Sequence, residues 1–348
     1  MNAGRPLIGT LGTFALSNKY PHIALVATGG TIAGRADDVR FASQYSAGVL
    51  DVADICAMVP GLSGIAQISA EQFTNLDSKD IDLEIWRRLA MQVNRIAGLP
   101  DVDGLVIMHG TDTLEETAFL LHLVAKTDKP IVLTGAMRPA NAISPDGPMN
   151  LYDAVTVAAA RSARQKGVLV VLDNRIHGAR DVTKSYTLGA AAFSSGEQGA
   201  LGRVQDGDVV FHHCTLQPHT TTSMFSIDDG LTPVEIVVGY GGVSCAALEG
   251  VLSTGAKGIV VAGVGGGALP EALAQRLAVA SASGVAVVRA SRIGSGPVLR
   301  NAAAVDGMLG FIAAGSLSAY KARILLMLAL SLRPRPDSTV LQGLFDRY

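Results

Sequence analysis

The sequence has little of what marks several classes of protein. Its 348 residues include three cysteines, too few and too scattered for a disulfide framework or a CxxC metal site, and we expect all three to be reduced and buried. Charged residues make up only 17%, the net charge is −2, and no basic stripe is present, which argues against nucleic acid or an anionic membrane as a partner. No stretch of about 20 residues is apolar and free of charges, glycine clusters and proline, so no membrane-spanning helix is expected. A small neutral ligand fits this composition better.

Apolar residues are abundant, at 49% of the chain, which indicates a large core and buried surface between subunits. The length suits about two domains of 100 to 200 residues each. We therefore expect a two-domain protein that assembles into an oligomer.

The first 21 residues, MNAGRPLIGTLGTFALSNKYP, are predicted to be an N-terminal extension. They contain Arg5 and a short apolar run from Leu7 to Leu16, but no clear small-residue cleavage site. This favours the cytoplasm, and the periplasm is the alternative.

Residues 22–210 alternate between apolar strands and helices, which is typical of a doubly wound, mainly parallel α/β sheet. The predicted elements are HIALVAT, a helix over DIDLEIWRRLAMQVNRI, GLVIMHG, a helix over TLEETAFLLHLV, KPIVLTG, a helix near Leu151 to Ala163, and GVLVVLD. In the first helix the apolar stripe consists of Ile81, Ile85, Leu89, Val93 and Ile96.

A polar, turn-rich segment at 211–232 is predicted to be a linker, followed by a smaller C-terminal α/β domain over 233–348. Its strands are predicted at EIVVGY, GIVVAG and GVAVVRAS. The late segment SAYKARILLMLALSL is apolar nearly all round and should be a helix that is buried or lies at an interface.

The stretch LVATGGTIAG, at 25–34, contains a glycine loop after the first strand. A phosphate-binding P-loop is excluded because Arg35 and Ala36 stand where Lys and Ser or Thr are needed, and the glycine spacing does not give GxGxxG. Glycines also permit close backbone approach to a ligand, so the loop is predicted to present the hydroxyl of Thr28 or Thr31. The alternative is an ordinary strand-to-helix turn with a threonine N-cap.

A second loop, HGTDT at 109–113, precedes a helix with a predicted capping box from Thr113 to Glu116. Neighbouring parallel strands deliver their ends to one crevice, so Thr111 should lie near the first loop. A threonine nucleophile needs a base, for which a lysine is suitable. RDVTK offers Lys184 and NLDSKD offers Lys79, and the sequence alone does not place either beside Thr111.

The motifs LVATGGTIAG, HGTDTLEETA, GAMRP and RDVTK together resemble those of bacterial-type L-asparaginases, over about His22 to Tyr348. The resemblance implies an amidohydrolase that needs no cofactor or metal and forms a homotetramer, a dimer of dimers, with each active site between two subunits. It implies a catalytic set of Thr31 as nucleophile, Tyr45 on a closing loop, and the group Thr111, Asp112 and Lys184. It further implies substrate contacts at Gly30, Asp77, Ser78, Lys79 and Ala136.

The sequence departs from the family pattern around the substrate's α-ammonium group. Lys79 replaces a common Gln and Asp77 a common Gly, while Gly242 and Ala303 stand where Asn and Glu are usual. A lysine would repel an ammonium, so we expect Lys79 to pair with Asp77. Weaker binding of L-asparagine, or a modified asparagine as substrate, follows as an alternative, and L-glutamine is a further candidate because one methylene discriminates weakly.

Other interpretations remain open. GVGGGALP, at 263–270, matches the GxGxxA loop of an NAD(P)-dependent oxidoreductase, but the acidic residue for the ribose is missing and Arg289 ends the next strand. HHCTLQPH lacks the usual spacing of zinc ligands, and His109 either packs beneath its loop or contacts the substrate. A protein that senses amides without turnover, or a subunit of a transfer-RNA-dependent amidotransferase, is a further alternative.

Overall fold

The larger sheet belongs to the first part of the chain. The computed structural model describes residues 20–348, so the predicted extension at 1–21 lies almost entirely outside the described residues. The strands of the first unit are β1 (His22–Gly29), β2 (Arg35–Ala36), β3 (Tyr45–Ser46), β4 (Gln67–Leu76), β5 (Gly104–Met108), β6 (Ile131–Thr134), β7 (Val168–Leu172), β8 (Arg175–Gly178), β9 (Thr183–Lys184), β10 (Phe193–Ser194), β11 (Gly202–Gln205) and β12 (Asp208–Phe211). Its α-helices are α1 (Val52–Ala57), α2 (Leu83–Ala97), α3 (Leu114–Val124) and α4 (Gly147–Ala159).

Eight strands form one sheet in the order β12-β11-β8-β7-β6-β5-β1-β4. Strands β4, β1, β5, β6 and β7 are parallel, whereas β8, β11 and β12 add antiparallel pairs at one edge. The predicted mainly parallel α/β sheet is confirmed. Strand β4 was not predicted because its sequence, QISAEQFTNL, has no buried apolar run, as suits an edge strand.

Helix α2 starts three residues later than predicted because Asp82 is its N-cap and accepts a hydrogen bond from the Ile85 N–H at 2.8 Å. In the predicted stripe, Leu89, Val93 and Ile96 are buried, whereas Ile85 is half-buried.

Helix α4 is shifted toward the N-terminus relative to its predicted range. It begins at Gly147, with proline in its first turn, and ends at Ala159. Residues 161–163 form a separate 3-10 turn. Proline at a helix start lacks only an N–H that would be unpaired there, so Pro148 favours the earlier beginning.

The second unit is a four-stranded parallel sheet in the order β13-β14-β15-β16. Its strands are β13 (Val234–Val238), β14 (Gly258–Gly263), β15 (Ala286–Ser291) and β16 (Phe311–Ala313), and its helices are α5 (Ala246–Ser253), α6 (Glu271–Ala282), α7 (Asp306–Leu309), α8 (Ala319–Ser331) and α9 (Ser338–Arg347). The smaller C-terminal α/β unit is thus confirmed, as is the burial of α8, in which nearly every side chain is buried.

The two units share a hydrophobic core, because α8 packs against α3 of the first unit. Residues 212–233 connect the units without a strand or an α-helix, and Phe225 and Ile227 of this segment are buried in the shared core. The proposed limits of the domains at 22–210 and 233–348, with a linker at 211–232, stay a prediction.

Two expectations from composition, on membrane-spanning helices and on the cysteines, can be compared with the structure. In the part of the chain from residue 20 onward, no helix has the length and apolar character needed to span a membrane. The three cysteines are free, but Cys56 and Cys245 are half-buried and Cys214 is exposed, so their expected burial was wrong. Cys214 follows the edge strand β12, in the exposed beginning of the connecting segment.

Candidate active site

The two glycine loops meet where neighbouring strands end. β1 and β5 pair in parallel, and their last paired residues are Ala27 and Met108. Gly30, with φ of 81°, lies against the second loop so closely that a Cβ atom there would be 2.3 Å from Gly110 Cα. Only glycine permits this approach, and it brings the segments carrying Thr31 and Thr111 together as predicted.

Thr31 begins a 3-10 turn, Thr31–Ala33, directly after the first glycine loop. Its side chain is buried, and its Oγ1 lies 2.6 Å from the hydroxyl oxygen of Tyr45. Tyr45 reaches this point from β3, which pairs with β2 as a short hairpin. Thr28, the other candidate of this loop, instead donates to the Met108 carbonyl at 3.1 Å and links β1 to β5.

Thr111 forms a second hydroxyl cluster with Asp112 and Lys184. Lys184 Nζ donates to Thr111 Oγ1 at 2.9 Å and to Asp112 Oδ1 at 2.6 Å. The lysine side chain is 18% exposed, whereas that of Asp112 is 55% exposed. The structure thus selects Lys184 over Lys79 as the lysine beside Thr111, and this ammonium is held between a hydroxyl and a carboxylate.

The GAMRP loop, which follows β6, lies beside the second glycine loop and contacts Thr111. A Cβ atom on Gly135 would lie 3.2 Å from Thr111 Cγ2, and the adjacent Ala136 is fully buried. The Asp146 carboxylate accepts hydrogen bonds from the backbone N–H groups of Met137 and Arg138, each at 2.9 Å, which fixes the loop.

Ser78 has a buried hydroxyl with no hydrogen-bond partner among the described residues. It starts the 3-10 turn Ser78–Asp80 and lies against Gly110, where a Cβ atom would be 2.6 Å from its Oγ. Buried polar atoms are nearly always paired, so an unpaired hydroxyl between these loops is consistent with a ligand that supplies the partner.

The neighbouring Thr113 corrects one prediction. Its hydroxyl donates to the Ser78 carbonyl at 2.9 Å, and it makes no side-chain cap hydrogen bond to α3. The predicted capping box from Thr113 to Glu116 is therefore wrong, because Thr113 ties the Ser78 turn to the second loop instead.

Lys79 points into solvent and is paired with carboxylates. Its Nζ lies 2.5 Å from Asp77 Oδ2 and 3.5 Å from Asp80 Oδ2, and 61% of its side chain is exposed. The hydrogen bond that Lys79 donates to the Asp77 carboxylate raises the pKa of Lys79. The expected pairing with Asp77 is confirmed.

Comparisons with known proteins agree with this geometry. A family model described as "Asparaginase, N-terminal" matches residues 22–217, and one described as "Glutaminase/Asparaginase C-terminal domain" matches 233–345. The chain belongs to the asparaginase family. L-asparaginase 2 of Bacillus subtilis is 43% identical over 94% of this chain and 87% of its own. Glutaminase-asparaginase of Pseudomonas fluorescens is 41% identical over 95% of this chain and 91% of its own.

A solved structure gives the same result for the fold. The crystal structure of a probable cytoplasmic L-asparaginase from Campylobacter jejuni superposes with a TM-score of 0.91, at 41% identity, and covers 94% of this chain and 100% of that one. The chain is thus an asparaginase-family amidohydrolase. Two other motifs considered in the sequence, His109 and the GVGGGALP loop, have structural contacts in this fold.

His109 is one such motif, because it packs beneath its loop. It is fully buried, and burial lowers its pKa to about 4. Its Nδ1 is 2.7 Å from the Gly110 carbonyl, which can only accept, so Nε2 accepts from the Thr117 hydroxyl at 3.0 Å. Thr117 in turn accepts from Trp86 Nε1 at 2.8 Å, which completes a buried chain of hydrogen bonds under the HGTDT loop.

The GVGGGALP loop has a structural partner in Arg289. This fully buried side chain donates from Nη1 to the Gly266 carbonyl at 2.9 Å and from Nη2 to Asp306 at 2.6 Å.

The side chains of the segment HHCTLQPH do not converge on one point. His212, His213 and Cys214 are exposed, whereas the ring of His219 packs 5.1 Å from that of His122. Within residues 20–348 no group of three or more His, Cys, Asp or Glu side chains is arranged to hold a metal.

Gly242 and Ala303, the two departures in the second unit, are both exposed. Two buried charged groups that contact the segment before Lys184, Glu115 of α3 and Lys321 of α8, were not predicted from the sequence. The available signal was a charged residue inside an otherwise apolar helix.

Proposed function

We propose that this protein hydrolyses L-asparagine to L-aspartate and ammonia, with L-glutamine as an additional substrate. The relatives named L-asparaginase and glutaminase-asparaginase support this substrate class. The observation that carries the proposal is the contact of Lys184 Nζ with both Thr111 and Asp112, beside the separate pair of Thr31 and Tyr45.

In the first half of the proposed reaction, Thr31 Oγ1 attacks the side-chain amide carbon of the substrate. The C–N bond breaks, the hydroxyl proton leaves with the nitrogen as ammonia, and an ester of Thr31 remains. Tyr45, at 2.6 Å, orients the attacking hydroxyl. Backbone N–H groups of the two glycine loops are suited to stabilise the oxyanion, and each such donor is typically worth about 3 to 4 kcal/mol.

In the second half, water hydrolyses the ester. Thr111 Oγ1 accepts a proton of this water, and the hydroxyl proton of Thr111 passes to Lys184, which acts as the neutral amine, while the water oxygen attacks the acyl carbon. The bond from the acyl carbon to Thr31 Oγ1 then breaks, and the proton returns from Lys184 to Thr31 Oγ1. Asp112 holds the Lys184 ammonium in place at 2.6 Å. The products are L-aspartate and the free enzyme, so atoms balance without a cofactor.

Substrate binding is assigned to the residues between the two loops. The unpaired Ser78 hydroxyl is suited to the substrate carboxylate, and Gly30 and Ala136 supply small surfaces beside the reacting amide. Asp77 is assigned a dual role, near the substrate's ammonium and as the partner of Lys79.

We further propose a homotetramer, a dimer of dimers, in which Gly242 and Ala303 of one subunit face the active site of its partner. Their exposure is consistent with such a contact. Because both lack the polar side chains usual for the family, ammonium binding would depend more on Asp77.

Ammonia release from L-asparagine, L-glutamine, D-asparagine and an N-acylated asparagine tests the proposal. Saturable turnover of L-asparagine at low concentration is expected. Turnover of only the N-acylated compound would support the alternative of a modified asparagine, which the altered residues 79, 242 and 303 favour. Binding without turnover would identify an amide-sensing protein instead.

A further inference from the structure

The segment that carries Lys184 is held by two buried charged groups from helices of different units. Lys321 of α8 is 2% exposed, and its Nζ donates to the carbonyl of Arg180 at 2.8 Å and to that of Val182. In addition, the Thr183 hydroxyl donates to the buried carboxylate of Glu115 in α3.

The side-chain directions of Thr183 and Lys184 follow from the extended backbone of β9. Successive side chains of a strand point to opposite faces, so Thr183 reaches Glu115 while Lys184 reaches Thr111. The carbonyls of Arg180 and Val182, in the turn that leads into β9, both accept hydrogen bonds from Lys321. A shift of this strand along its axis would break these contacts together and would move Lys184 Nζ away from Thr111.

Lys321 is under electrostatic constraint in its buried position. Burial lowers its pKa to about 8, with Arg180 acting in the same direction, while the carboxylates of Glu115 and Asp181 favour the charged form. The ammonium is therefore mostly protonated at neutral pH, and a buried charge must keep its hydrogen-bond partners. The two carbonyls are thus obligatory partners rather than incidental neighbours.

We propose that Lys321 is a positioning residue for hydrolysis: by binding the carbonyls of Arg180 and Val182, it fixes where β9 presents Lys184 to Thr111. The inference rests on the proposed function. It assigns the second unit of the chain a role in the active site of the same subunit, through α8.

A cleft beside this contact makes the proposal accessible to experiment. It has a volume of about 260 Å³ and lies between the units, with Arg180, Asp181, Thr183, Ser316, Ser318 and Lys321 among its lining residues. A small alkylammonium ion is therefore able to reach the position of the Lys321 ammonium once that side chain is truncated.

The first test compares Lys321→Met with Leu326→Ala. Leu326 lies on the same helix but faces β14, where its Cδ2 would be 3.0 Å from a Cβ atom on Gly258. We expect both variants to lower Tm, but only Lys321→Met to lower kcat for L-asparagine, by about 10- to 100-fold with KM nearly unchanged, because misplacement by about 1 Å costs up to 10²-fold. Equal kcat in the two variants would overturn the proposal. If Lys321→Met does not fold, Lys321→Gln is measured in the same way.

The second test is chemical rescue of Lys321→Ala. Propylammonium chloride should raise its kcat in a saturable manner, whereas tetramethylammonium chloride, which has no N–H donor, should not. An equal response to both salts would contradict the positioning role. Wild-type turnover in the same assay separates the two hypotheses: an inactive wild type refutes the proposed function, whereas an active wild type with unaffected Lys321 variants refutes only this inference.

Discussion

Lys184 Nζ lies 2.9 Å from Thr111 Oγ1, although 73 positions separate the two residues along the chain. The contact joins β9 to the loop after β5, and it distinguishes this lysine from Lys79, which is paired with Asp77 in solvent. Two hydroxyl groups with different partners therefore lie at the ends of neighbouring strands, and the proposed mechanism assigns one to each half of the reaction.

Replacement of the proposed nucleophile should abolish turnover without unfolding the protein. Thr31→Ala removes the hydroxyl and its contact with Tyr45 but leaves the turn backbone intact, so we expect no measurable ammonia release and a Tm close to that of the wild type. Thr31→Ser, which keeps an oxygen nucleophile, is the control and should retain part of the activity. Substantial turnover by Thr31→Ala would move the nucleophile to Thr111.

Loss of the lysine should separate the two halves of the reaction. Lys184→Met keeps Thr31 and Tyr45, so rapid mixing with L-asparagine should release one equivalent of ammonia per site and then slow turnover by orders of magnitude. Intact-protein mass spectrometry should detect an aspartyl adduct on Thr31. Lys79→Met, on the exposed pair, is the matched control and should show neither burst nor adduct. Absence of both in Lys184→Met would show that Lys184 is already needed for acylation.

Most of the fold was predictable because buried parallel strands are continuous apolar runs. The strands β1, β5, β6, β7 and β14 have that character, and β13 and β15 are mainly apolar runs that each contain one charged residue. The edge strands β4 and β12, and β11 beside β12, are partly exposed and polar, so no apolar run marks them. The start of α2 differs from its predicted position because the N-cap residue Asp82 fixes where the helix begins.

The site was predictable only in part. Glycines at 29 and 30 indicated close backbone approach, and the structure gives the reason in the contact of Gly30 with Gly110. Which lysine lies beside Thr111 depends on the path of the chain from 112 to 184, which no local pattern encodes. The support by Glu115 and Lys321 depends on packing between α3, α8 and β9, and for the same reason it was not foreseen.

The salt bridge between Lys79 and Asp77 should help to maintain the affinity for L-asparagine. In Asp77→Asn the ammonium of Lys79 loses its partner at 2.5 Å and is free to oppose the substrate's α-ammonium, so KM should rise severalfold while kcat changes little. High salt should reduce the effect because it screens exposed charges. Asp80→Asn, whose carboxylate is 3.5 Å from Nζ, is the control with a smaller change. The double variant Asp77→Asn/Lys79→Gln separates the two roles proposed for Asp77: a KM restored to the wild-type value means that the loss acts through Lys79, whereas a KM that stays raised contradicts this prediction and leaves only the direct contact of Asp77 with the substrate's ammonium.

The close contact between the two glycine loops leaves no room for a side chain at position 30. Gly30→Ala places a Cβ atom 2.3 Å from Gly110 Cα at φ of 81°, and such backbone strain alone costs about 1–3 kcal/mol. We expect a lower free energy of unfolding together with a strong loss of kcat, since the loops must separate. Gly64→Ala, where no atom lies within 4 Å of the added Cβ, should be nearly neutral in both measurements. Wild-type activity in Gly30→Ala would mean that the loop spacing is not critical.

Glu116 should make stability fall as the pH rises from about 4.5 to 7. Burial raises its pKa from 4.5 to about 7, against the opposing effect of Arg323, whose Nη1 is 3.6 Å away. Between these values the folded state binds a proton that the unfolded state does not, so deprotonation disfavours folding, by at most about 3 kcal/mol at 1.36 kcal/mol per pKa unit.

Glu116→Gln should remove this pH dependence. We expect its free energy of unfolding, measured by urea at one protein concentration, to improve relative to wild type between pH 5 and pH 7.5. Glu84→Gln is the control: Arg87 lowers the pKa of Glu84, so its contribution is already constant above pH 5. The buried His109 and His177, whose pKa values burial lowers to about 4, act in the opposite direction, because stability is lost as pH falls from 6.5 toward 4. Both histidines are present in the wild type and in the two variants, so their contributions to the free energy of unfolding cancel in the comparison. A pH-independent difference between Glu116→Gln and wild type would show that Glu116 is charged in the folded state, with Arg323 outweighing burial.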